Sequence, residues 1–238
     1  MPETIQLADI SVAVVRKRIK HVHLSVHPPT GRVTISAPVH TSLDTIQAFA
    51  ATKIGWIRRQ QAKLREQERE PPREAIDRES YYVWGQRCLL KVVEVDTVPS
   101  VCLEHDRLVL RVRPGTEKAG RLEVLDAWYR DEVRATATLI IPSWETKLGV
   151  KVVKLFVRRM RTRWGSCNHR TGNIRLNTDL AKKPRECLEY VVVHEMIHLL
   201  EPSHDERFKA LMDRYLPKWR FLREELNRLP VRHEEWEY

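Results

Sequence analysis

Apolar residues recur along this chain at two periods, and the switches between them mark its elements. Val12-Ala13-Val14-Val15, Val22-His23-Leu24-Ser25-Val26 and Val33-Thr34-Ile35-Ser36-Ala37 read as short β-strands. His27-Pro28-Pro29-Thr30-Gly31 is the turn between the last two. Pro38 and Thr41-Ser42-Leu43-Asp44 then end the strands and open a helix whose apolar positions are Ile46, Phe49, Ile54, Ile57 and Leu64. The charged stretch from Glu66 to Glu74, broken by Pro71 and Pro72, is an exposed connection.

A second β region follows. Tyr81–Gln86 pairs with Leu89–Val93 as a hairpin, and Val101–Leu103 with Leu108–Val112 as another. A long helix is predicted from about Gly120 to Leu148. Leu122, Leu125, Trp128, Tyr129, Val133 and Ala137 form its apolar side, with Pro142 a point of bending or breakage. Lys151–Val157 and Gly172–Leu176 are strand-like, and a helix opens after Pro184. Further helices run through Phe208, Leu211, Met212 and Tyr215, and through Trp219, Phe221, Leu222 and Leu226. The polar tail from Pro230 to Tyr238 reads as a frayed end. No internal repeat is evident.

The helix after Pro184 carries the chemistry. His194-Glu195-Met196-Ile197-His198 is H-E-x-x-H, and His204 follows six residues on. Imidazoles four residues apart stand on one helix face, where both can reach one Zn²⁺ at ~2.0–2.1 Å. The Glu between them is placed to act on water rather than to bind metal. The flanking Leu188, Tyr190, Val191, Val192 and Val193 predict a buried helix, in which unpartnered His and Glu would be unfavourable without a metal. Three protein ligands and a water are the catalytic pattern of zinc.

His204 joins the pair only if the helix stops. On an unbroken helix it would face ~240° away from His198. Pro202 disfavours helix at Glu201 and cannot continue the hydrogen-bond ladder. Ser203 or Asp205 can then cap a new helix. Glu201 competes as third ligand, with His204 favoured, since His₃ and His₂Glu sites both occur. A Gly at position 201 would be the metzincin pattern, and it is absent.

Upstream lies Arg158-Arg159-Met160-Arg161-Thr162-Arg163-Trp164-Gly165-Ser166-Cys167. From Lys151 to Arg170 there are seven Lys or Arg and no acid. Alternate Arg159, Arg161 and Arg163 would share one face of a strand, and Gly165 admits a close backbone. Two readings fit. One is an edge strand beside the metal cleft, in which Arg161, Arg163, Trp164, Gly165 and Ser166 bind a peptide or anionic groups. The other is a solvated basic strand with a packed Trp.

Composition narrows the rest. Formal net charge is +10 over 238 residues, with pI ≈ 9.6, which favours polyanionic partners without choosing among them. Cys88, Cys102, Cys167 and Cys187 are scattered and form neither a zinc ribbon nor an evident disulfide framework. The start Met1-Pro2-Glu3-Thr4 does not read as a signal peptide, and no run approaches ~18 apolar residues. A cytoplasmic protein with no membrane association is the expectation; its oligomeric state stays open.

With H-E-M-I-H-L-L-E-P-S-H-D-E-R-F and the upstream R-T-R-W-G-S-C together, the chain resembles the YgjP-like metallopeptidase family, distantly related to SprT/Spartan and zincin proteases. Ile54-Gly55-Trp56-Ile57 and Tyr82-Val83-Trp84-Gly85 fall in the family's order, and Lys209 stands where a tryptophan is usual. The resemblance implies an α+β fold in which a zincin-like catalytic portion (116–238), its H-E-x-x-H helix packed on a mixed or antiparallel sheet, follows a β-rich portion (1–115). It implies His194, His198 and His204 as metal ligands, Glu195 as general base and Phe208 as a packing residue. Zn²⁺ is the expected metal, with Ni²⁺ or another divalent transition ion also suited.

Three functions compete. The first is a metallopeptidase acting on a peptide or protein. The second is a metal-dependent nucleotide hydrolase of UTP pyrophosphatase type, a label also attached to the family. The third is a nucleic-acid-associated protein whose metal site is secondary.

Overall fold

The computed structural model describes residues 3–27, 30–66, 70–160 and 163–230, without the Lys63 side chain. It is α+β, with mixed sheets and helices. The chain divides into two compact units between Glu70 and Pro71, whereas the sequence reading drew its division at 115/116. The sheet between those two points belongs with the helices that follow it.

The first unit is a four-stranded sheet of β1 (Glu3–Leu7), β2 (Ile10–Lys17), β3 (His23–His27) and β4 (Arg32–Pro38) in the order β1-β2-β4-β3. β2 and β4 run parallel and the outer pairs are antiparallel. Alternation puts Ile10, Val12 and Val14 of β2 and Val33, Ile35 and Ala37 of β4 in one core with Ile46, Ala50 and Ile57. The helix expected after Thr41 is two helices, α1 (Leu43–Ala51) and α2 (Ile54–Glu66). Ser42 caps α1 by accepting from the Thr45 N–H. The break falls at Thr52, whose hydroxyl donates to the Phe49 carbonyl and competes with the helix ladder.

The second unit opens with β5 (Ser80–Val83), β6 (Gln86–Glu94), β7 (Ser100–Glu104) and β8 (Arg107–Val112), in the order β5-β6-β8-β7. Again the inner pair is parallel and the outer pairs antiparallel. The two sheets thus share one topology, and both first hairpins turn through a non-glycine residue at positive φ, Ala8 and Trp84. This repeat is hidden in the sequence because only alternation is shared: Ile5 and Leu7 in one sheet answer to Tyr81 and Val83 in the other.

A long helix, α3 (Lys118–Leu148), crosses the second unit unbroken through Pro142. Leu125, Tyr129, Val133, Ala137, Ile141, Trp144 and Leu148 are buried at helical spacing, on both sides of the proline, and this packing holds the helix across the missing donor. Gly149 ends it in the left-handed conformation, its N–H donating to the Glu145 carbonyl. A three-stranded sheet follows, of β9 (Lys154–Arg158), β10 (Gly165–Asn168) and β11 (Asn173–Asn177) in the order β10-β11-β9. The basic run is therefore not one strand. β9 ends at Arg158, Arg159 and Arg163 lie in the connection, and Arg161 falls outside the described residues. After a 3₁₀ helix at Thr178–Lys182, the remaining α-helices are α4 (Arg185–Ile197), α5 (Glu206–Tyr215) and α6 (Trp219–Arg228).

The second sheet reaches α4 directly. The Trp84 N–H donates to the Ala181 carbonyl at 2.7 Å, and the Arg185 guanidinium lies 4.9 Å from the Trp84 ring centre. A Cβ on Gly85, at φ +80°, would meet Pro184 at 3.0 Å. The tight Trp84-Gly85 turn is thus the seat for the start of α4. Leu176, fully buried, pairs with Gly165 and backs the strand nearest that helix. Leu176→Ala should destabilise the protein by about 2–5 kcal/mol. Chemical denaturation reads this, and a loss below about 1 kcal/mol would show that the sheet is not packed as described.

Candidate metal centre

α4 is buried almost all round: Cys187, Leu188, Tyr190, Val191, Val192, Val193, Met196 and Ile197 all lie in the core. His194 and Glu195 sit in its last turn, and His198 is the C-cap. The helix ends before Pro202 takes effect. The Leu199 and Leu200 N–H groups donate to the carbonyls of Met196 and Ile197, a tightened i to i−3 turn. The chain then folds back, and Asp205 caps α5 by accepting from the Phe208 N–H at 3.0 Å.

This return brings three imidazoles together. His204 Nε2 lies 2.9 Å from His194 Nε2 and 3.1 Å from His198 Nε2. Glu201 does not join them. Its carboxylate is near Ser203 Oγ at 3.0 Å and Arg207 Nε at 3.9 Å. Phe208, 2% exposed, packs its ring against all three histidines with centroids 4.7–4.9 Å away.

The donor chemistry fits a cation. His198 Nδ1–H donates to the Glu201 carbonyl at 3.0 Å, which leaves Nε2 as a free lone pair. Burial, with the charges of His198, His204 and Arg223, pushes the His194 pKa down to about 3. Burial also lowers His198 and His204. With their Nε2 lone pairs turned inward, the three rings repel one another unless a cation or proton sits among them. Ligands ~2.0–2.1 Å from a tetrahedral ion stand ~3.3 Å apart, close to the separations here. His194 Nδ1 is buried without a hydrogen-bond partner among the described residues.

Glu195 is the second half of the site. It is 6% exposed, and burial pushes its pKa up to about 8, partly offset by Arg163. A cation held by the histidines would return it to the carboxylate form. Gly165 of β10 lies hard against it: a Cβ there would come within 2.6 Å of Glu195 Oε1 and 2.9 Å of Val191 Cγ1. Only a glycine fits this approach.

The histidines and Glu195 line a cavity of ≈ 670 Å³. Arg163, Trp164, Gly165 and Ser166 line it too, together with Tyr190, His169, Arg223 and Asn227, which sequence reasoning missed. Tyr190 is one turn before His194 on the same helix, so helical period could have found it. Arg223 comes from α6, and no local pattern marks it. Asn177 was missed as well. Its Nδ2 donates to the carbonyls of Met160 and Arg163 at 2.8 and 2.9 Å, and so holds the connection that leads into β10. Cys167 also lines the cavity, but burial beside Glu195 pushes its pKa up to about 11. It is a thiol at neutral pH rather than a nucleophile. All four cysteines are free.

Comparison with known proteins places these residues in context. The model of a family described as "YgjP-like, metallopeptidase domain" matches residues 20–229. Two solved structures with some likeness are crystal structures of metallopeptidase zymogens. Pyrococcus abyssi abylysin is 16% identical, with 38% of this chain and 90% of that chain covered and a TM-score of 0.36. Methanocaldococcus jannaschii jannalysin is 18% identical, covering 40% and 92%, with a TM-score of 0.33. Comparison with curated proteins gives no match.

The competition between His204 and Glu201 can be measured directly. The purified chain should take up one equivalent of Zn²⁺, as read by elemental analysis after dialysis. His204→Ala should weaken uptake by about tenfold or more, while Glu201→Ala should retain it. The opposite pattern would make Glu201 the third ligand.

Proposed function

This chain belongs to the YgjP-like metallopeptidase family, and from that premise we propose a zinc-dependent peptidase with a His₃ site and a glutamate base. The observation that carries the proposal is the convergence of three imidazole Nε2 atoms beside a buried carboxylate of the same helix. Family membership implies a divalent metal, and the all-nitrogen donor set favours Zn²⁺ or a similar transition ion over Mg²⁺. That chemistry also weighs against the nucleotide-hydrolase alternative.

In this reading His194, His198 and His204 hold the ion through Nε2. When bound, the ion supplies Lewis acidity toward a carbonyl and lowers the pKa of water toward ~7. Glu195 accepts the proton of the attacking water on its carboxylate and returns it to the leaving amine. Its burial keeps that proton from escaping to solvent. The three imidazoles, held neutral by burial, stay available as ligands down to mildly acidic pH.

β10 supports a peptide substrate. Among the described residues it pairs on one side only, with β11, and its first residue lies against Glu195. An extended peptide can add along its open edge and present a carbonyl to the cavity. Arg163, Trp164, Gly165 and Ser166 are the proposed binding residues along that path, with Arg161 retained from the sequence. Among the described residues no helix is long and apolar enough to cross a membrane.

Two substitutions test these roles. Glu195→Gln should keep its zinc and lose about 10²–10⁴-fold in cleavage of an unfolded protein substrate. Undiminished cleavage would refute the base. Gly165→Ala should also keep zinc, yet lose about 10²-fold, because the new methyl displaces the Glu195 carboxylate.

A further inference from the structure

Part of the cavity wall has no role in the chemistry above. Tyr190, on α4, is 6% exposed and lines the cavity, and its hydroxyl has no hydrogen-bond partner among the described residues. That hydroxyl is open to the cavity, where it can donate to a bound group. Arg223, on the neighbouring helix α6, lines the same space, and its charge is felt at Tyr190, His194 and His204. Arg163 enters the cavity from the connection before β10.

Neither guanidinium has an ion-pair partner among the described residues. Arg220, one turn earlier on α6, is held by the Asp213 carboxylate through both terminal nitrogens. Arg223 has no such restraint. Among the described residues Glu195 is the single acid in the cavity wall. A concave site with two exposed guanidiniums that form no ion pair, a phenol and a single carboxylate among its described lining residues suits an anion.

We propose that Tyr190 and Arg223, with Arg163, form a recognition subsite for a carboxylate-bearing peptide residue next to the cleaved bond. The proposal rests on the peptidase reading and names the substrate class for it. The guanidinium of Arg223 pairs with both carboxylate oxygens, and the Tyr190 hydroxyl donates to the same group. A neutral amide of equal shape offers the fork one acceptor and an NH₂ that opposes it. Glutamate should therefore be preferred to glutamine.

The test measures binding separately from turnover. The full chain carrying Glu195→Gln and loaded with Zn²⁺ is titrated with acetylated, amidated pentapeptides holding a central Glu or Gln. A third peptide holds Gln and ends in a free carboxylate. The Glu peptide should bind about tenfold tighter than its Gln twin. Adding Arg223→Gln should erase that preference, and adding Arg223→Lys should keep part of it. Adding Tyr190→Phe should weaken the Glu peptide a few-fold. Unchanged zinc content and melting temperature show that each variant remains folded. An Arg223-dependent preference for the free-terminus peptide supports the same subsite and assigns its carboxylate to the chain end. Equal affinities, no binding of any peptide, a preference that survives Arg223→Gln, or tighter Arg223-dependent binding of UTP would each overturn the proposal. The wild type is then assayed for cleavage. If it cleaves none of these peptides although the Arg223-dependent preference holds, the subsite stands and the peptidase reading fails. Cleavage without that preference leaves the peptidase reading and removes the subsite.

Discussion

Three imidazole nitrogens held within hydrogen-bond distance of one another, in a place where protonation is disfavoured, set the terms for the rest of this protein. Such a cluster is electrostatically unfavourable by itself and becomes favourable around a cation. To build it the chain must end a buried helix within one residue of His198, reverse, and start a second helix two residues after His204. The tightened turn after Ile197 and the Asp205 cap perform that reversal. Phe208 then fills the space behind all three rings and fixes their orientation.

The surrounding scaffold positions this cluster from two directions. At the start of α4, the Trp84-Gly85 turn packs on Pro184 and Arg185, so a hairpin distant in sequence sets where the histidine-bearing helix begins. At its end, Gly165 brings the edge of a sheet against Glu195 with no room for a side chain. Asn177 donates to the carbonyls of Met160 and Arg163, on the approach to Trp164 and Gly165. Each contact is local, yet together they place a carboxylate, a strand edge and three imidazoles around one space.

Much of this was legible in the sequence, for identifiable reasons. The i, i+4 histidines needed helical period alone, and Pro202 correctly announced that the helix stops, although the stop itself falls at Ile197. Strong alternation revealed most strands. The misread parts are those where tertiary packing outweighs local preference. Pro142 does not break α3 because buried residues on both sides hold it. One predicted helix is two, with the break at Thr52 and Lys53. The alternating arginines suggested a strand, but the pairing partner of that region is β11, and its register begins only at Gly165. Arg223 and Asn177 act across long sequence separations, where no spacing rule operates. The shared topology of the two four-stranded sheets is also invisible in residue identities, since a pleated face requires only apolar alternation.

The most direct measurement is X-ray absorption at the zinc edge of the metal-loaded chain. A His₃ site predicts about three imidazole nitrogens at ~2.0–2.1 Å, with one further light ligand and no sulfur. A shell containing sulfur at ~2.3 Å, or one made only of oxygens without imidazole scattering, would contradict it.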